Sequence, residues 1–376
     1  MSVGLASLPG MDLDVTAATR TLAQAAADLV RLLPGRVLDP VLSGTVLEAT
    51  PDGVLLAGTD RERSIRLSRG ARTHSEGQLL VPARPLAETL RNIDSPEVRL
   101  VVEGRKLALR TPNARFALPL LDLPAHPAVR EAPPRVGALD TALLPLAAVA
   151  ASTASRDDAL PVFTGVHVRQ RGERLVLVGT DRFRMTVASL PWRPEVDELD
   201  VLVPANLLAE LAKQADGAEV VLHVDADRVG MSWPSAEVSS TVLDAPFPSE
   251  ARHLADAFDC TVDVAAPELA GAVRRVTPFA GAQGTVLLEV GDAEVRVRAA
   301  DQQFGEAEEA VKATTSGDRF TTAYQPRYLA DALQAFGAQA VHIGLRSGTR
   351  RSTVITGAEP DPSDAELHYV LMPKRS

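Results

Sequence analysis

The sequence predicts an α+β protein built from three tandem copies of one domain, each with two helices packed on largely antiparallel sheet. Three observations carry this. Leu56-Ala57-Gly58-Thr59-Asp60-Arg61 recurs as Leu177-Val178-Gly179-Thr180-Asp181-Arg182 at an interval of 121 residues, and in weaker form as Val297-Arg298-Ala299-Ala300-Asp301-Gln302 after a further 120. Leu80-Val81-Pro82-Ala83 recurs as Leu202-Val203-Pro204-Ala205 at an interval of 122, and Ala323-Tyr324-Gln325-Pro326 follows 122 residues later. Proline-rich stretches separate the copies. A repeat this long exceeds the roughly 20–50 residues of solenoid units, so each copy is expected to hold its own core.

The elements follow in order. An Ala- and Leu-rich helix opens each copy: Thr16 to Leu33, closed by Pro34-Gly35; about Thr141 to Ser155; and Pro267 to Val276. Strands follow at Val41–Ala49 and Gly53–Gly58 around the turn Pro51-Asp52-Gly53. In the second copy they lie at Gly165–Gln170 and Arg174–Gly179 around Arg171-Gly172-Glu173. Proline then opens a second helix over Pro82–Ile93, Pro204–Ala215 and Pro326–Phe336. A hairpin closes the copy, as in Val98–Glu103 and Lys106–Thr111 around Gly104-Arg105. The linkers are Leu123–Arg135, with Pro124, Pro127, Pro133 and Pro134, and Ala245–Asp259, with Pro246 and Pro248. The expected domains are 1–124, 135–252 and 259–376 of the 376 residues.

Composition narrows the function classes. Hydrophobic residues make up 45% and charged residues 23%, ordinary for a soluble globular chain. No apolar run approaches the roughly 18 residues of a membrane span, and no basic-then-apolar secretory leader opens the chain. Cys260 is the only cysteine, so no intramolecular disulfide forms; this suits a reducing cytoplasm and a small core residue. The net charge of −10 argues, at face value, against a nucleic-acid partner.

The charge is unevenly distributed. The six expected helices (17–34, 82–93, 141–156, 204–215, 267–279 and 325–336) carry nine bases: Arg20, Arg31, Arg84, Arg91, Arg156, Lys213, Arg274, Arg275 and Arg327. They carry five acids: Asp28, Glu88, Glu210, Glu268 and Asp331. The helices thus sum to +4 and the remainder to −14. Helices facing one surface would make it basic on an acidic body, a pattern that holds phosphate locally. Ordinary solvated helix faces produce the same count.

Catalytic patterns are absent. There is no Gly-x4-Gly-Lys phosphate loop, no His-Glu-x-x-His and no Gly-x-Ser-x-Gly elbow. The seven histidines are scattered without metal-ligand spacing, so neither metal nor other cofactor is expected. Glu306, Glu308 and Glu309 read as a solvated acidic loop. Asp225 and Asp227 read as turn residues, and Asp60, Asp181 and Asp301 as one structural turn repeated.

The chain as a whole resembles the bacterial DNA polymerase III beta subunit family, the replicative sliding clamps. Thr180-Asp181-Arg182-Phe183-Arg184-Met185 is similar to the family's Thr-Asp-x-His-Arg-Leu. Phe247-Pro248 is similar to its Phe-Pro-Asp linker signature, with Arg252 as the basic residue after it. Tyr369-Val370-Leu371-Met372-Pro373-Lys374-Arg375 is similar to its Val-Met-Pro-Met-Arg-Leu ending. The resemblance implies a DNA-clamp fold that closes, as a head-to-tail homodimer, into a ring around duplex DNA. Helices would line the hole and touch phosphates without reading sequence. By the resemblance Arg36 matches a DNA-contacting arginine. Arg20, Arg31, Arg84, Arg91, Lys213, Arg274 and Arg275 are candidates by charge and helix placement.

The resemblance also implies a pocket between the middle and last domains for a short peptide of DNA polymerase, clamp loader and other clamp-binding-motif proteins. The matching positions are Phe163, Thr180, Arg182, Phe183, Arg184, Met185, Pro248, Arg252, Gln325, Tyr328, Val370, Leu371, Met372 and Pro373. Met, Leu, Val and Pro would form an adaptable apolar groove with Tyr and Arg as anchors. Phe116 and Leu118 match apolar positions at the subunit boundary, with Phe279 as their partner.

Departures are specific. Phe183 replaces the family histidine, and Lys374-Arg375-Ser376 replaces Met-Arg-Leu. The Ala- and Arg-rich, Lys-poor composition points to a high-GC bacterium such as an actinomycete, where the chain would be a divergent second clamp. Three readings follow: a processivity clamp without catalysis, a clamp-like regulator or decoy, and an unrelated hydrolase or ligand-binding protein. The last requires a polar cleft of convergent titratable groups, which the sequence does not offer.

Overall fold

The computed structural model describes residues 12–33, 39–157, 159–254, 257–281, 284–347 and 352–374. It divides into two compact bodies. One comprises residues up to 141 with 194–196 and 210–242; the other comprises 142–193, 197–209 and 243 onward.

In the first body, Arg72–Ser75, Asp14–Ala18, Glu97–Glu103, Lys106–Arg110 and Arg115–Pro119 form a five-stranded antiparallel sheet in that order. A second sheet runs through Arg135–Asp140, Glu219–Val224, Arg228–Trp233, Ala236–Thr241, Ser64–Arg69, Gly53–Thr59, Gly44–Thr50 and Gly77–Pro82. Its continuity rests on Ala236–Thr241 pairing with Ser64–Arg69, where Val238 faces Ile65 across the ladder. Helix α1 (Thr19–Leu32) buries Leu22, Ala25, Ala26, Leu29 and Leu32, the three- and four-residue spacing of a single helical stripe. Helix α2 (Ala83–Arg91) buries Leu86, Ala87 and Leu90 and packs beside α1.

In the second body, a nine-stranded antiparallel sheet runs Asp200–Pro204, Gly165–Arg171, Arg174–Thr180, Arg184–Pro191, Glu366–Leu371, Thr353–Gly357, Ala340–Leu345, Cys260–Ala265 and Thr314–Gly317. Its centre joins Arg184–Pro191 to Glu366–Leu371, with Arg184 opposite Leu371 and Met185 opposite Val370. A four-stranded sheet holds Gly305–Lys312, Glu294–Asp301, Val286–Val290 and Phe320–Tyr324. The remaining helices are α3 (Leu144–Ser152), α4 (Ala205–Gln214), α5 (Ala251–Leu254), α6 (Ala266–Val276) and α7 (Pro326–Gln334). Helices α6 and α7 pack together over a core containing Leu269, Val273, Val276, Leu329 and Leu333.

The structure corrects several expected elements. Each copy opens with a strand, not a helix: Asp14–Ala18, Arg135–Asp140 and Cys260–Ala265 precede α1, α3 and α6. The first of these alternates buried Val15 and Ala17 with half-buried Asp14 and Thr16, a period-two pattern inside an Ala- and Thr-rich run. Helix α3 ends at Ser152, so Arg156 lies beyond it. Ser152 Oγ donates to Val149 O at 2.7 Å and Thr153 Oγ1 to Ala150 O at 2.8 Å, occupying carbonyls at the helix end. Pro82 and Pro204 end strands; only Pro326 is a first helical residue. Glu306, Glu308 and Glu309 stand on the strand Gly305–Lys312, not in a loop. Arg296 and Arg298 on the paired strand approach Glu308 at 3.1 and 3.0 Å, which explains how the acids are tolerated there.

Cys260 is buried in its strand, and burial pushes its thiol pKa up, so it is inert core. Helices α1, α2 and α6 lack side-chain caps. Their first amides donate to carbonyls of adjoining loops: Thr19 N to Pro96 O at 2.9 Å, Ala83 N to Ser43 O at 3.1 Å and Ala266 N to Gln339 O at 3.1 Å.

The repeated glycine explains how closely helix and strand approach. A Cβ on Gly179 would stand 2.0 Å from the backbone oxygen of Ala150 in α3. A Cβ on Gly58, its counterpart, would meet the flexible Leu33 Cδ1 at 3.1 Å, and the third copy already carries buried Ala299. Gly179→Ala is therefore expected to lower unfolding free energy by about 1–3 kcal/mol, and Gly58→Ala by much less, in urea titrations of the two variants.

Candidate functional site

The turn that carries the pocket arginines is built from the repeated Thr-Asp pair. Asp181 Oδ1 accepts from the amides of Phe183 and Arg184, both at 3.0 Å. Thr180 Oγ1 accepts from Arg182 N at 3.1 Å and donates to Arg184 O at 2.7 Å. Asp60 and Thr59 make the equivalent bonds with Glu62, Arg63 and Arg61, and Asp301 Oδ1 accepts from Gln303 N and Phe304 N. Asp225 likewise accepts from the amides of Asp227 and Arg228. These aspartates have a structural role. Arg61 and Arg182 adopt positive φ, 83° and 77°, in the two copies that have the threonine; the third has Ala300 in its place.

Arg184 is buried, and its guanidinium donates four hydrogen bonds. Nε donates to Asp181 Oδ2 at 3.0 Å, Nη1 to Asp331 Oδ2 at 2.7 Å and to the Tyr369 hydroxyl at 3.1 Å, and Nη2 to Ser152 O at 3.1 Å. The cation also lies 4.8 Å from the Tyr328 ring centroid. Burial opposes its charge, but Tyr369, Asp331 and Asp181 outweigh that and raise its pKa.

Beside this network lies a cavity of about 370 Å³ lined by Phe163, Thr180, Arg182, Arg184, Met185, Pro248, His253, Val370 and Met372. Eight of the expected pocket residues therefore meet at one place. Its floor continues into an apolar cluster of Val176, Val178, Met185, Val187, Val354 and Val370, against which Phe247, Leu254 and Phe258 pack.

The other expected pocket residues fall elsewhere. Leu371 is 1% exposed and belongs to the core of the last domain; alternation along Glu366–Leu371 turns it away from the face of Val370. Phe183, 54% exposed, stacks on Tyr328 with ring centroids 6.3 Å apart, making a ledge beside the cavity. Gln325 is exposed at the N-cap of α7. Pro373 and Lys374 line a different concavity with Phe320 and Arg346, and Lys374 Nζ donates to Thr285 Oγ1 at 2.8 Å. Arg252 belongs to α5, but its side chain lies outside the described residues. His253 lines the cavity without having been singled out in the sequence. Its placement depends on the α5 turn after the linker, which no local motif marks.

The helix cations are arranged more simply. Arg20, Arg84, Arg91 and Arg274 are exposed, and among the described residues none has a carboxylate partner. Arg31 pairs with Asp28, Lys213 with Glu210 at 2.8 Å and Arg275 with Glu309 in a two-bond fork. Arg31, Arg91, Lys213, Arg274 and Arg275 occupy last helical turns, where a cation also complements the helix dipole. With Arg156 outside α3 and Arg252 added in α5, the described helices carry nine bases and five acids. Arg36 lies outside the described residues.

At the expected subunit boundary, Phe116 is 40% exposed on Arg115–Pro119, an edge strand of its sheet, while Leu118 is buried. Phe279 is half-buried against the core of the last domain, in the 3-10 turn Thr277–Ala280. Among the described residues no group of His, Cys, Asp and Glu is placed to hold a metal ion, and no helix is long and apolar enough to cross a membrane.

Family models of the DNA polymerase III beta subunit match in chain order: the N-terminal domain at 13–130, the central domain at 144–249 and the C-terminal domain at 253–375. A beta sliding clamp of Micrococcus luteus is 30% identical over 302 residues, covering 78% of this chain and 96% of the relative. The chain belongs to the DNA polymerase III beta subunit family. A Streptomyces coelicolor beta sliding clamp is 28% identical over 94% of this chain and 97% of its own length. The beta sliding clamp homolog GriR of Streptomyces muensis is 27% identical with the same coverage. The solved Thermotoga maritima beta subunit has the same fold, with a TM-score of 0.87 at 21% identity over 97% of this chain and 100% of that one. As a sliding clamp, the chain falls among processivity factors of DNA replication, and its three domains are clamp domains.

Three tyrosines, Tyr328 and Tyr369 at Arg184 and Tyr324 in the core of the last domain, give a pH signature. Burial pushes Tyr324, which bonds Thr353 Oγ1 at 2.5 Å, up to about 12. Burial pushes Tyr369 up to about 12 as well, against the opposing pull of Arg184, and burial raises Tyr328. Folded Tyr324 and Tyr369 stay protonated where the unfolded chain, near the ordinary value of 10.0, has ionised. Their contribution is whole below about pH 10 and is lost as pH rises to about 12, by about 2–3 kcal/mol per group. Urea unfolding across that range is expected to show the fall, and Tyr324→Phe is expected to flatten it.

Proposed function

We propose that two copies of this chain close head to tail into a ring that encircles duplex DNA and tethers DNA polymerase and other partners through the Arg184 cavity. The clamp domains are 1–124, 135–252 and 259–376. The carrying observation is the convergence of Phe163, Thr180, Arg182, Arg184, Met185, Pro248, Val370 and Met372 on one cavity in a chain of this family. An apolar hole with arginine at its mouth suits a short linear peptide of polymerase, clamp loader or other clamp-binding-motif proteins. A weak peptide contact then gains strength from the high effective concentration that a DNA-bound ring supplies.

The exposed Arg20, Arg84, Arg91 and Arg274, with Arg31, Lys213, Arg275 and Arg36, face phosphate in this reading. Contacts limited to the backbone leave the ring able to slide. Closure uses two open sheet edges, Arg115–Pro119 in the first body and Gly305–Lys312 in the second. Phe116 and Phe279 contribute apolar surface to it, while Leu118 packs within its own sheet. The protein works in the cytoplasm, carries no catalytic site of its own and uses no cofactor.

A second reading keeps the fold but gives the chain a regulatory or decoy role among clamp partners. It is favoured by Phe183 in the place of the family histidine, by Lys374 turned onto Thr285, and by near-equal identity to a clamp and to a clamp homolog.

Sedimentation is expected to give a dimer, and clamp-loader-assisted loading is expected to leave the protein on circular DNA and not on linear DNA. Equal loss from both templates would sink the ring. Peptide binding without loading would favour the second reading.

A further inference from the structure

Resting on the reading of the Arg184 cavity as a peptide site, we propose that Glu250 is a positioning residue for that site: paired with Arg169 and Arg171, it pins the linker wall of the cavity and so sets the affinity for a peptide. The wall is the segment from Phe247 to Leu254, which brings Pro248 and His253 to the cavity. It lies along one face of the strand Gly165–Arg171, where alternation puts His167, Arg169 and Arg171 on the same side. The Phe247 ring centroid is 5.2 Å from that of His167, and Glu250, three residues later, reaches both arginines.

Glu250 is 2% exposed. Its Oε1 accepts from Arg169 Nη2 and, at 3.1 Å, from Arg171 Nη2. A carboxylate this deep carries a desolvation cost that paired cations offset, and its charge-assisted bonds fix direction as well as distance. The backbone passes the constraint on. Glu250 O accepts from His253 N at 2.9 Å, opening α5, and His253 O accepts from Arg346 Nη1 at 2.8 Å. Arg346 also lies 4.6 Å from the ring centroid of Phe258, which packs on the apolar floor of the cavity. Pro248 stands between the two residues that dock on the strand, and His253 follows one turn later. Both lining positions therefore depend on where Glu250 is held.

The first linker docks by other means. Its start makes the same backbone bond, Leu121 N to Leu80 O at 2.8 Å, as the second makes from Leu243 N to Leu202 O at 2.9 Å. Glu48, opposite Gln78, stands where the second copy has Arg169 opposite Asp200, and it bonds Gln78 Nε2 within its own sheet at 3.3 Å. Leu121, Leu123 and Val129 then cover the sheet by apolar contact. The buried ion triad occurs on the linker that walls a cavity, where apolar cover is incomplete. A wall fixed before the ligand arrives spares the ligand the cost of ordering it.

The test is fluorescence anisotropy with a fluorescein-labelled peptide, acetylated and C-terminally amidated, whose Leu-Phe pair supplies the apolar anchor, alongside urea unfolding of each variant. Glu250→Gln, which keeps the volume and removes the charge, is expected to weaken binding about tenfold. Arg169→Gln is expected to weaken it similarly, and the double variant no further, because the two share one contact. Arg169→Lys is expected to keep most of the affinity, because Arg169 meets Glu250 through one donor. Asp364→Asn, which removes a partner of Arg174 on the same sheet, is expected to bind as the wild type does. Wild-type affinity in Glu250→Gln overturns the inference and leaves the pocket reading standing. So do additive losses in the double variant, an Arg169→Lys that binds no better than Arg169→Gln, and an equal loss in Asp364→Asn. Where Glu250→Gln does not fold, Arg171→Gln decides, since that side chain is 60% exposed. A loss of about threefold there supports the role, and unchanged binding overturns it. Failure of the wild type to bind the peptide overturns the pocket reading and this inference with it.

Discussion

The Arg184 guanidinium is the joint on which the cavity-bearing body depends. It gathers the C-terminal carbonyl of α3 at Ser152, the Asp181 turn, Asp331 on α7 and the Tyr369 hydroxyl on the strand Glu366–Leu371. A buried cation is tolerated when its charge is matched and most of its donors are met, and here two carboxylates, a phenol and a carbonyl take four of the five N–H groups. The ladder from Arg184–Pro191 to Glu366–Leu371 makes the sheet continuous, and Arg184 ties the helices to that ladder. The cavity lies beside this joint, so its shape is set by groups that are not free to move.

A repeat does not produce three equal sites. All three copies keep the aspartate turn, because it satisfies two amides with one carboxylate wherever it stands. What changes is the side chain the turn presents. Arg61 in the first copy has no aromatic neighbour among the described residues, and the third copy has Gln302 at this position and Ala300 in place of the threonine. Arg182 in the second lies between Phe163 and Phe183. In the first copy the cluster of Val46, Ala57 and Leu80 is covered by Leu121 and by Leu123 and Val129 of the following linker. In the second body Phe247, Leu254 and Phe258 cover only part of the corresponding surface, and the cavity is what remains.

The sequence showed the features that repeat and concealed those that depend on long-range pairing. The Thr-Asp turns and the second helices were legible because each has a local signature recurring at a fixed interval. The opening strands were not: Asp14–Ala18 is a short strand running directly into α1 through Ala and Thr, residues compatible with either element. Leu371 was assigned with its neighbours because a motif carries no information about which face of a strand each residue takes. His253 enters the cavity through a four-residue helix that no periodicity could reveal. The end of α3 depended on hydroxyls of Ser152 and Thr153 returning to the helix backbone, a competition invisible to composition.

The acidic total of the chain follows the same logic of position over sum. Many carboxylates are matched by neighbouring arginines on sheet surfaces: Glu308 by Arg296 and Arg298, Glu103 by Arg110 and Arg115, and Glu250, buried, by Arg169 and Arg171. Such pairs cancel their own fields at short range and leave little charge to act at a distance. Among the described residues, exposed cations without a carboxylate partner include Arg20, Arg84, Arg91 and Arg274 on helices and Arg61, Arg105, Lys106, Arg130, Arg182 and Lys312 on strands and loops. A polyanion at contact distance responds to those local charges, because screening confines the rest of the molecule to a Debye length of about 8 Å at physiological salt. A net charge of −10 therefore lowers nonspecific attraction from afar without cancelling the local charge of exposed arginines such as Arg20, Arg84, Arg91 and Arg274.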